Sequence, residues 1–191
     1  LSGDGRRDLL AGGTRVFIAA GDGTFEEGPA AVIEEVDPEL FEKRRIAADL
    51  DHDGLVDLVS LGVRKVQSFL ATGGLTFVPP EDPWDIGRET VGFAPADLDG
   101  DGELDIASID DDSDSVFILM GRGGGLFEPA PGIPLRLETE TRLQPVGIAS
   151  GDLDGDGVTD LVTAHGETLD VAVLPGRGDG AFEAPLRARA G

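Results

Sequence analysis

Three stretches of this sequence place four aspartates at the same spacing, which is a pattern that suits metal binding. They read DLDHDGLVDL at 49–58, DLDGDGELDI at 97–106 and DLDGDGVTDL at 152–161. Two carboxylates about 4 Å apart repel by roughly 4 kcal/mol at an effective dielectric constant near 20, so such loops favour a bound cation. Ca²⁺ takes six to eight oxygen ligands, and a glycine at the sixth position permits the sharp turn that makes the acids converge.

Each loop is predicted to supply four carboxylates, from positions 1, 3, 5 and 9, and the backbone carbonyl of position 7. The predicted calcium ligands are Asp49, Asp51, Asp53, Leu55 and Asp57; Asp97, Asp99, Asp101, Glu103 and Asp105; and Asp152, Asp154, Asp156, Val158 and Asp160. Mg²⁺ fits less well because it prefers few carboxylates and several waters. The alternative is an Asp/Gly turn without an ion, but turn chemistry alone does not require acids at four fixed offsets in three places.

The chain opens on LSGDGRRDLL, which is the same pattern without its first residue, so we expect a fourth, truncated calcium site at the N-terminus. The third acid of the pattern recurs every 48 to 55 residues. A fixed period of this length indicates a repeat architecture. We predict one array of four repeats, at about 1–40, 41–88, 89–143 and 144–191.

Short apolar runs and turns keep step with the acidic loops. After each loop come an apolar run, a Gly-rich turn and a phenylalanine, as in RVFIAAGDGTF at 15–25 and SVFILMGRGGGLF at 115–127. Runs of four to seven apolar residues bounded by Gly, Pro and Asp are typical of β-strands. The sequence therefore predicts an all-β fold of antiparallel four-stranded β-propeller blades. We also expect one or two turns of helix at 36–45, where Asp-Pro-Glu resembles a helix start.

Composition narrows the classes of partner. The 191 residues carry a formal net charge of −23, which argues against nucleic acids and anionic membranes as partners, because both are polyanions. No stretch of 18 apolar residues occurs, so membrane insertion is not expected. The absence of cysteine excludes disulfides and thiolate metal sites.

The pattern D-L-D-x-D-G-x-x-D-L, followed by a strand and G-x-G-x-F, resembles FG-GAP/VCBS repeats, the blades of the integrin α-type β-propeller. The resemblance implies calcium in the loop between the first and second strands of each blade. It also implies extracellular, cell-surface or periplasmic use in adhesion, ligand recognition or carbohydrate contact. Three repeats of four strands and one of three would give fifteen strands, so we expect an incomplete propeller of about four blades. The alternative is a closed four-bladed ring with one deficient blade.

The functional expectation is a non-catalytic calcium-binding module that recognises a protein or carbohydrate outside the cell. No catalytic residue is predicted, because no nucleophile elbow or histidine-rich metal motif occurs. Two alternatives stay open at this stage. The chain is a catalytic or non-catalytic part of a secreted polysaccharide lyase or hydrolase built on the same repeats, or it is a scaffolding spacer.

Five further features receive conservative interpretations. Residues 177–179 spell Arg-Gly-Asp, the tripeptide that some integrins bind, but are expected to form an ordinary hairpin turn. The acidic segment 110–114 is expected to be a solvated hairpin loop, with a weak cation site as the alternative. His52 and His165 are expected at the surface. Trp84 is expected to pack as a connector between blades, with a sugar-stacking platform as the alternative.

Overall fold

The computed structural model of this protein describes residues 9–11, 14–33, 44–62, 64–131, 134–137 and 142–189. Within these ranges the chain forms eighteen β-strands and no helix. Accordingly, none of the described residues belongs to a helix long and apolar enough to cross a membrane. The chain divides into two compact units, residues 1–84 with 124–126, and residues 85–123 with 127–191.

Short strands and frequent turns follow from the alternation of apolar runs with Gly- and Asp-rich segments. The strands are β1 (Leu9–Ala11), β2 (Arg15–Ala19), β3 (Phe25–Glu27), β4 (Val32–Ile33), β5 (Arg44–Ala48), β6 (Asp57–Leu61), β7 (Lys65–Ala71), β8 (Thr76–Val78), β9 (Trp84–Asp85), β10 (Thr90–Ala96), β11 (Asp105–Asp110), β12 (Ser115–Gly121), β13 (Phe127–Pro129), β14 (Leu135–Arg136), β15 (Pro145–Gly151), β16 (Asp160–His165), β17 (Asp170–Leu174) and β18 (Leu186–Arg189).

The first unit contains two sheets. The first sheet has the order β1-β2-β3, and the second has the order β4-β8-β7-β6-β5, with β9 also paired to β7. The successive pairings of β1 to β3 and of β5 to β8 are antiparallel, and β4 pairs with β8 in parallel. The two sheets share an apolar core that includes Val16, Leu58, Phe69 and Phe77.

The second unit contains the third and fourth sheets, which repeat one design. The third has the order β10-β11-β12-β13, with β14 also paired to β12, and the fourth has the order β15-β16-β17-β18. The registers agree as well, because Ala94 pairs with Ala107 in the third sheet where Ala149 pairs with Val162 in the fourth. Each sheet is therefore an antiparallel meander with the connectivity of a propeller blade.

The fourth strand is the most irregular part of each sheet. In the second sheet its place is shared by β8 and β9, and in the third by β13 and β14. In the fourth sheet an isolated bridge between Gly176 and Phe182 precedes β18. Two of the three strands beyond the predicted fifteen, β9 and β14, come from these interruptions, and the third, β4, is added at the edge of the second sheet. The four-stranded plan is retained.

The third and fourth sheets pack face to face around one core. Ile109, Val116 and Ile118 of the third sheet are fully buried there together with Leu161 and Leu174 of the fourth. The first strands of the two sheets lie side by side, and the Ser150 hydroxyl donates a hydrogen bond of 3.4 Å to the Pro95 carbonyl. Burial of aliphatic side chains at roughly 25 cal/mol per Å² is the main source of stability for this arrangement.

The predicted all-β fold of antiparallel sheets is confirmed over the described residues. Of the predicted helix at 36–45, residues 36–43 lie outside the described part of the chain, and residues 44 and 45 belong to β5. The predicted truncated loop at the N-terminus, with Ser2, Asp4 and Asp8, also lies outside the described residues.

Candidate metal centres

All three acidic loops connect the first strand of a sheet to the second. The loop at 49–56 joins β5 to β6, the loop at 97–104 joins β10 to β11, and the loop at 152–159 joins β15 to β16. The FG-GAP resemblance implies this position. Because the sheets repeat one register, the strands hold the three loops in the same conformation.

Aspartate side chains fold each loop onto its own backbone. In the loop at 97–104, the Asp97 carboxylate accepts hydrogen bonds from the N–H groups of Gly100 and Gly102 at 2.7 and 3.0 Å. Asp99 accepts from Asp101 N–H at 3.2 Å, and Asp101 accepts from Glu103 N–H at 2.8 Å. Such Asx turns are a local preference of aspartate, which explains why the pattern is encoded at fixed offsets.

The other two loops repeat these hydrogen bonds. Asp152 accepts from Gly155 and Gly157, and Asp49 accepts from Gly54, at distances between 2.7 and 3.0 Å. The glycine at the sixth position has a φ of +87° in the first of the three loops, +91° in the second and +86° in the third. A side chain is strained in this left-handed conformation, so glycine is required there.

Carboxylate oxygens converge in each loop. There are three groups of aspartates, and within each group one carboxylate oxygen from every residue lies within 4.8 Å of the others. The groups are Asp49, Asp51 and Asp53; Asp97, Asp99 and Asp101; and Asp152, Asp154 and Asp160. Eight of the nine acids hold positions 1, 3 or 5, and the ninth, Asp160, holds position 9 of the third loop.

The acid at position 9 has a different environment from the others. Asp57, Asp105 and Asp160 are almost fully buried. The two oxygens of Asp105 accept hydrogen bonds of 2.7 Å from the N–H groups of Leu98 and Gly121. Asp105 therefore clamps the start of the loop to the end of β12, the third strand of its sheet.

The clamp recurs in the other two sheets. Asp57 accepts hydrogen bonds of 2.7 Å from the N–H groups of Leu50 and Ala71. Asp160 accepts hydrogen bonds of 2.9 and 2.8 Å from the N–H groups of Leu153 and Gly176. The donors hold the same positions in their sheets as Leu98 and Gly121 do in the third sheet. Each oxygen keeps a further lone pair, so the clamp is compatible with metal coordination. The sequence predicted these residues as ligands but not their buried structural role.

The electrostatics of the loops favour a cation. Burial raises the pKa of Asp105 to about 6, and the negative charges of Asp99 and Asp101 add to the increase, although the two N–H donors oppose it. Burial likewise raises the pKa of Asp57, with Asp51 and Asp53 contributing. Like charges held this close disfavour ionisation, and a divalent cation would reverse that balance.

The donor set fits calcium. Hard carboxylate oxygens gathered within 4.8 Å match what Ca²⁺ binds, and no thiolate or imidazole belongs to the three groups. Asp156 is held by hydrogen bonds within the same loop, its carboxylate accepting from Val158 N–H at 2.8 Å. Asp57, Asp105 and Asp156 do not belong to the three groups. Ligation by every predicted residue, including the carbonyls of Leu55, Glu103 and Val158, stays a prediction.

The acidic segment at 110–114 forms the hairpin turn that the sequence predicted, with Asp112 exposed, but its first residue is not solvated. Asp110 is buried, and its carboxylate accepts 2.6 Å hydrogen bonds from the N–H groups of Arg88 and Glu89. It also accepts bonds from the Ser113 N–H and hydroxyl at 2.9 and 2.7 Å. Burial by itself would raise the pKa of Asp110, but these four donors outweigh it and lower the pKa.

His165 is also misplaced by the sequence prediction, because it is buried rather than at the surface. Its Nε2 lies 3.0 Å from the Thr163 hydroxyl, and its Nδ1 lies 2.8 Å from the Asp170 carboxylate. Arg187 of β18 completes the group with a 2.5 Å hydrogen bond to Asp170. Thr163 and His165 are two residues apart in β16 and therefore lie on the same face of the strand, which is visible in the sequence. Asp170 and Arg187, by contrast, come from other strands.

The remaining features have modest roles. His52 is exposed at position 4 of its loop, as predicted, with a φ of +59°. The half-buried Trp84 donates its indole N–H to Glu81 at 2.6 Å. Residues 177–179 lie in an exposed turn closed by the bond from Arg177 N–H to the Ala181 carbonyl, in agreement with the prediction of a hairpin turn.

Comparison with known proteins places these observations in a family. The FG-GAP-like repeat matches at residues 49–108 and 97–163, which together span more than half of the chain. Human cartilage acidic protein 1 is 29% identical over 185 residues, covering 87% of this chain and 26% of that protein. The chain thus spans about a quarter of that relative.

Solved structures show the same fold at low sequence identity. A lectin of Agrocybe aegerita, solved for its specific recognition of non-reducing terminal N-acetylglucosamine, superposes with a TM-score of 0.64 at 21% identity, over 97% of this chain and 49% of the lectin. The Tc holotoxin pore of Photorhabdus luminescens superposes with a TM-score of 0.54 at 21% identity, over 96% of this chain and 9% of the toxin chain. The repeated loops, the blade-like sheets and the profile match agree, and the chain belongs to the FG-GAP-like repeat family.

Proposed function

We propose that this chain is a calcium-stabilised segment of a β-propeller that presents its surface for recognition outside the cell and has no catalytic activity of its own. The observation that carries the proposal is the convergence of carboxylate oxygens within 4.8 Å in three loops of identical position in their sheets. The antiparallel four-stranded plan of the third and fourth sheets supports the assignment to propeller blades.

Calcium would act through linkage to folding. The residues at positions 1, 3 and 5 would hold the ion, and the buried acid at position 9 would connect it to the ends of the strands. A bound ion supplies two positive charges where the carboxylates repel each other, and three ions would change the formal charge from −23 to −17. At a concentration one hundred times its dissociation constant, each ion would add about 2.7 kcal/mol to the free energy of unfolding.

The test of calcium binding is thermal unfolding in calcium and in chelator. We expect EGTA to lower the melting temperature by about 5 °C or more, because about 1 kcal/mol corresponds to roughly 2–4 °C in a chain of this size. Magnesium at the same concentration should restore only a small part of this loss. A melting temperature that is the same in calcium and in EGTA would contradict the proposal.

Recognition is the proposed use of the calcium-bound fold, with a carbohydrate or a protein as the ligand. The fold shared with a lectin supports a carbohydrate, and the similarity to a cartilage protein supports an extracellular or cell-surface location. Binding of the calcium-loaded chain to a glycan array and to a panel of surface proteins tests this part. Binding to neither would favour a scaffolding spacer instead.

The proposed absence of catalysis is supported by the burial of the one described group of side chains that resembles a catalytic triad. Thr163, His165 and Asp170 form a chain of contacts like that of a nucleophilic triad, but all three are buried in the fourth sheet. A nucleophile has to reach its substrate, and this hydroxyl does not reach solvent. Turnover of any polysaccharide by the purified chain would overturn this part and favour the alternative of a secreted polysaccharide-acting enzyme.

A further inference from the structure

The turn between β17 and β18 of the fourth sheet lies beside two of the acidic loops. Its first residue is Gly176, whose N–H donates a 2.8 Å hydrogen bond to Asp160 at the end of the third loop. Further along, a β-carbon placed on Gly180 would lie only 3.7 Å from the β-carbon of Asp99, which holds position 3 of the second loop. We call residues 176–181 the bridging turn, because it contacts the loops of both sheets of the second unit.

The bridging turn is closed by its own hydrogen bonds. The Arg177 N–H donates to the Ala181 carbonyl at 3.0 Å, and the Ala181 N–H donates to the Asp179 carboxylate at 3.1 Å. Directly outside these residues, Gly176 pairs with Phe182 in a β-bridge. The fourth sheet therefore fixes the shape of the turn, and the turn is a preformed neighbour for the second loop.

Only glycine permits the close approach at position 180. Gly180 is buried and has a φ of +75°, a left-handed conformation that strains most other residues. A β-carbon there would lie 2.9 Å from Cε and 3.2 Å from Sδ of Met120, well inside the usual separation of about 3.5–4.0 Å between carbon atoms. The backbone of the turn therefore packs directly on the Met120 side chain beside Asp99.

The second and third loops differ at the position that the bridging turn contacts. Asp99 is half-buried, whereas Asp154, at the same position of the third loop, is exposed. In the second loop the acids at positions 1, 3 and 5 converge, whereas the group of the third loop contains Asp160 in place of Asp156. Within the second unit, the loop whose third position touches the turn is therefore the one with the complete set of positions 1, 3 and 5.

We propose that the bridging turn is part of the second calcium site, and that Gly180 is a positioning residue for the ligand Asp99. The turn narrows the space open to the Asp99 side chain, so that its carboxylate is held near those of Asp97 and Asp101 before the ion arrives. A side chain that is ordered in advance loses less freedom on binding, and the ion is bound more tightly. The inference rests on the proposed calcium binding, and it adds that this site is formed by two sheets.

The test isolates the second site and then disturbs the bridging turn. Asp51→Ala together with Asp154→Ala removes one predicted ligand from each of the other two loops, so that calorimetric titration with calcium reports mainly the second loop. In this chain, Gly180→Leu places a side chain between the turn and Met120. We expect calcium affinity to fall about tenfold or more, because overpacking displaces the turn from Asp99.

The matched control is Gly178→Leu in the same chain. Gly178 has a φ of +74°, so leucine causes the same backbone strain at both positions. It is exposed, however, and its β-carbon would lie 3.6 Å from Val158, which is an ordinary contact distance. We expect calcium affinity to change by less than about threefold. Where leucine prevents folding, Gly180→Ala and Gly178→Ala give the same comparison with a smaller difference.

Titration of the first loop alone shows whether the effect is local. Asp99→Ala together with Asp154→Ala leaves that loop intact, and Gly180→Leu should not change its calcium affinity. Equal affinities of the Gly180→Leu and Gly178→Leu chains for the second site would overturn the proposal, as would an equal loss at the first site. Failure of the unaltered chain to bind calcium would appear in the first titration and would overturn the proposed function itself, so the two failures are distinguishable.

Discussion

The two ends of the third and fourth sheets use aspartate in opposite ways. At the end with the acidic loops, carboxylates of Asp97, Asp99 and Asp101 gather within 4.8 Å of one another. At the other end, Asp110 and Asp170 are single buried carboxylates surrounded by hydrogen-bond donors from neighbouring strands and turns. One residue type therefore makes a candidate ion site at one end and a closed hydrogen-bond network at the other.

The pKa shifts express this difference. Burial and neighbouring negative charges raise the pKa of Asp105 to about 6. Burial would also raise the pKa of Asp170, but hydrogen bonds from Thr168, His165 and Arg187, and the charge of Arg187, lower it to about 2. At the end with Asp110 and Asp170, which we call the hairpin end, the protein itself supplies the hydrogen-bond donors. The end with the acidic loops, which we call the loop end, collects more negative charge than its own donors balance, and this is the condition for binding a cation.

The largest expected effect comes from removing the clamp of the loop end. Asp105→Ala leaves the N–H groups of Leu98 and Gly121 without their acceptor in a buried site, at a cost of about 1–3 kcal/mol each. We expect urea unfolding in EGTA to show a loss of about 2–5 kcal/mol. Measuring in EGTA separates the clamp from any role in metal binding.

The matched control for this variant is Asp101→Ala, which removes an exposed acid of the same loop. In EGTA it should change the free energy of unfolding by less than about 1 kcal/mol, because it also relieves repulsion. If Asp105→Ala were as mild as this control, the clamp would have no energetic role.

A smaller effect is expected from one ion ligand at a time. Asp154→Ala should weaken calcium binding at the third loop only, because the other two loops have their own acids. Calorimetric titration should then count two strong sites in the variant against three in the unaltered chain. A loss of all binding would show that the loops are not independent.

The hairpin end should respond to acid rather than to chelator. The pKa of Asp170 in the folded protein, about 2, is below its ordinary value near 4, so its ionised form stabilises the fold. This contribution is complete above pH 4 and is lost as the pH falls from 4 to 2. Asp170→Asn should therefore be less stable than the unaltered chain at pH 6, and the difference should shrink towards pH 2.

An exposed acid gives the control for this pH profile. Asp112→Asn removes an exposed carboxyl whose ion pair with Arg88 is long, at 3.8 Å, so the variant should be about as stable as the unaltered chain at pH 6. A difference for Asp170→Asn that does not depend on pH would mean that shape rather than charge accounts for its effect.

The smallest effect concerns the fourth position of the first loop. His52 has a φ of +59° where the other two loops have Gly100 and Gly155 at +79° and +84°. His52→Gly relieves an unfavourable backbone conformation, so we expect a change between zero and about +1 kcal/mol in the free energy of unfolding. Calcium affinity should not change, and a destabilisation of more than about 1 kcal/mol would contradict this argument from the backbone conformation.

The acidic loops could be predicted from the sequence because their structure is local. Asx turns and left-handed glycines join residues two to five positions apart, as in the bonds from Gly100 and Gly102 to Asp97. Fixed offsets in the sequence therefore become fixed positions in space. The same holds for the strands, because apolar runs bounded by turns specify their own pairing in a meander.

The buried networks could not be predicted in this way. Asp170 receives Arg187 from a strand seventeen residues later, and Asp110 receives backbone donors twenty-one and twenty-two residues earlier. Nothing in a hydrophobicity pattern tells a solvated aspartate from one that meets distant donors. The prediction that Asp110 belongs to a solvated turn was wrong for this reason, as was the surface placement of His165.

The sequence by itself determined the repeat, the all-β class and the convergence of acids in three loops, because each depends on residues that are neighbours along the chain. Only the tertiary structure decided that Asp57, Asp105 and Asp160 are buried clamps and that His165 belongs to a closed network. These properties arise where strands from distant parts of the chain meet, since burial and hydrogen-bond partners are set by what packs alongside and not by what is adjacent in sequence.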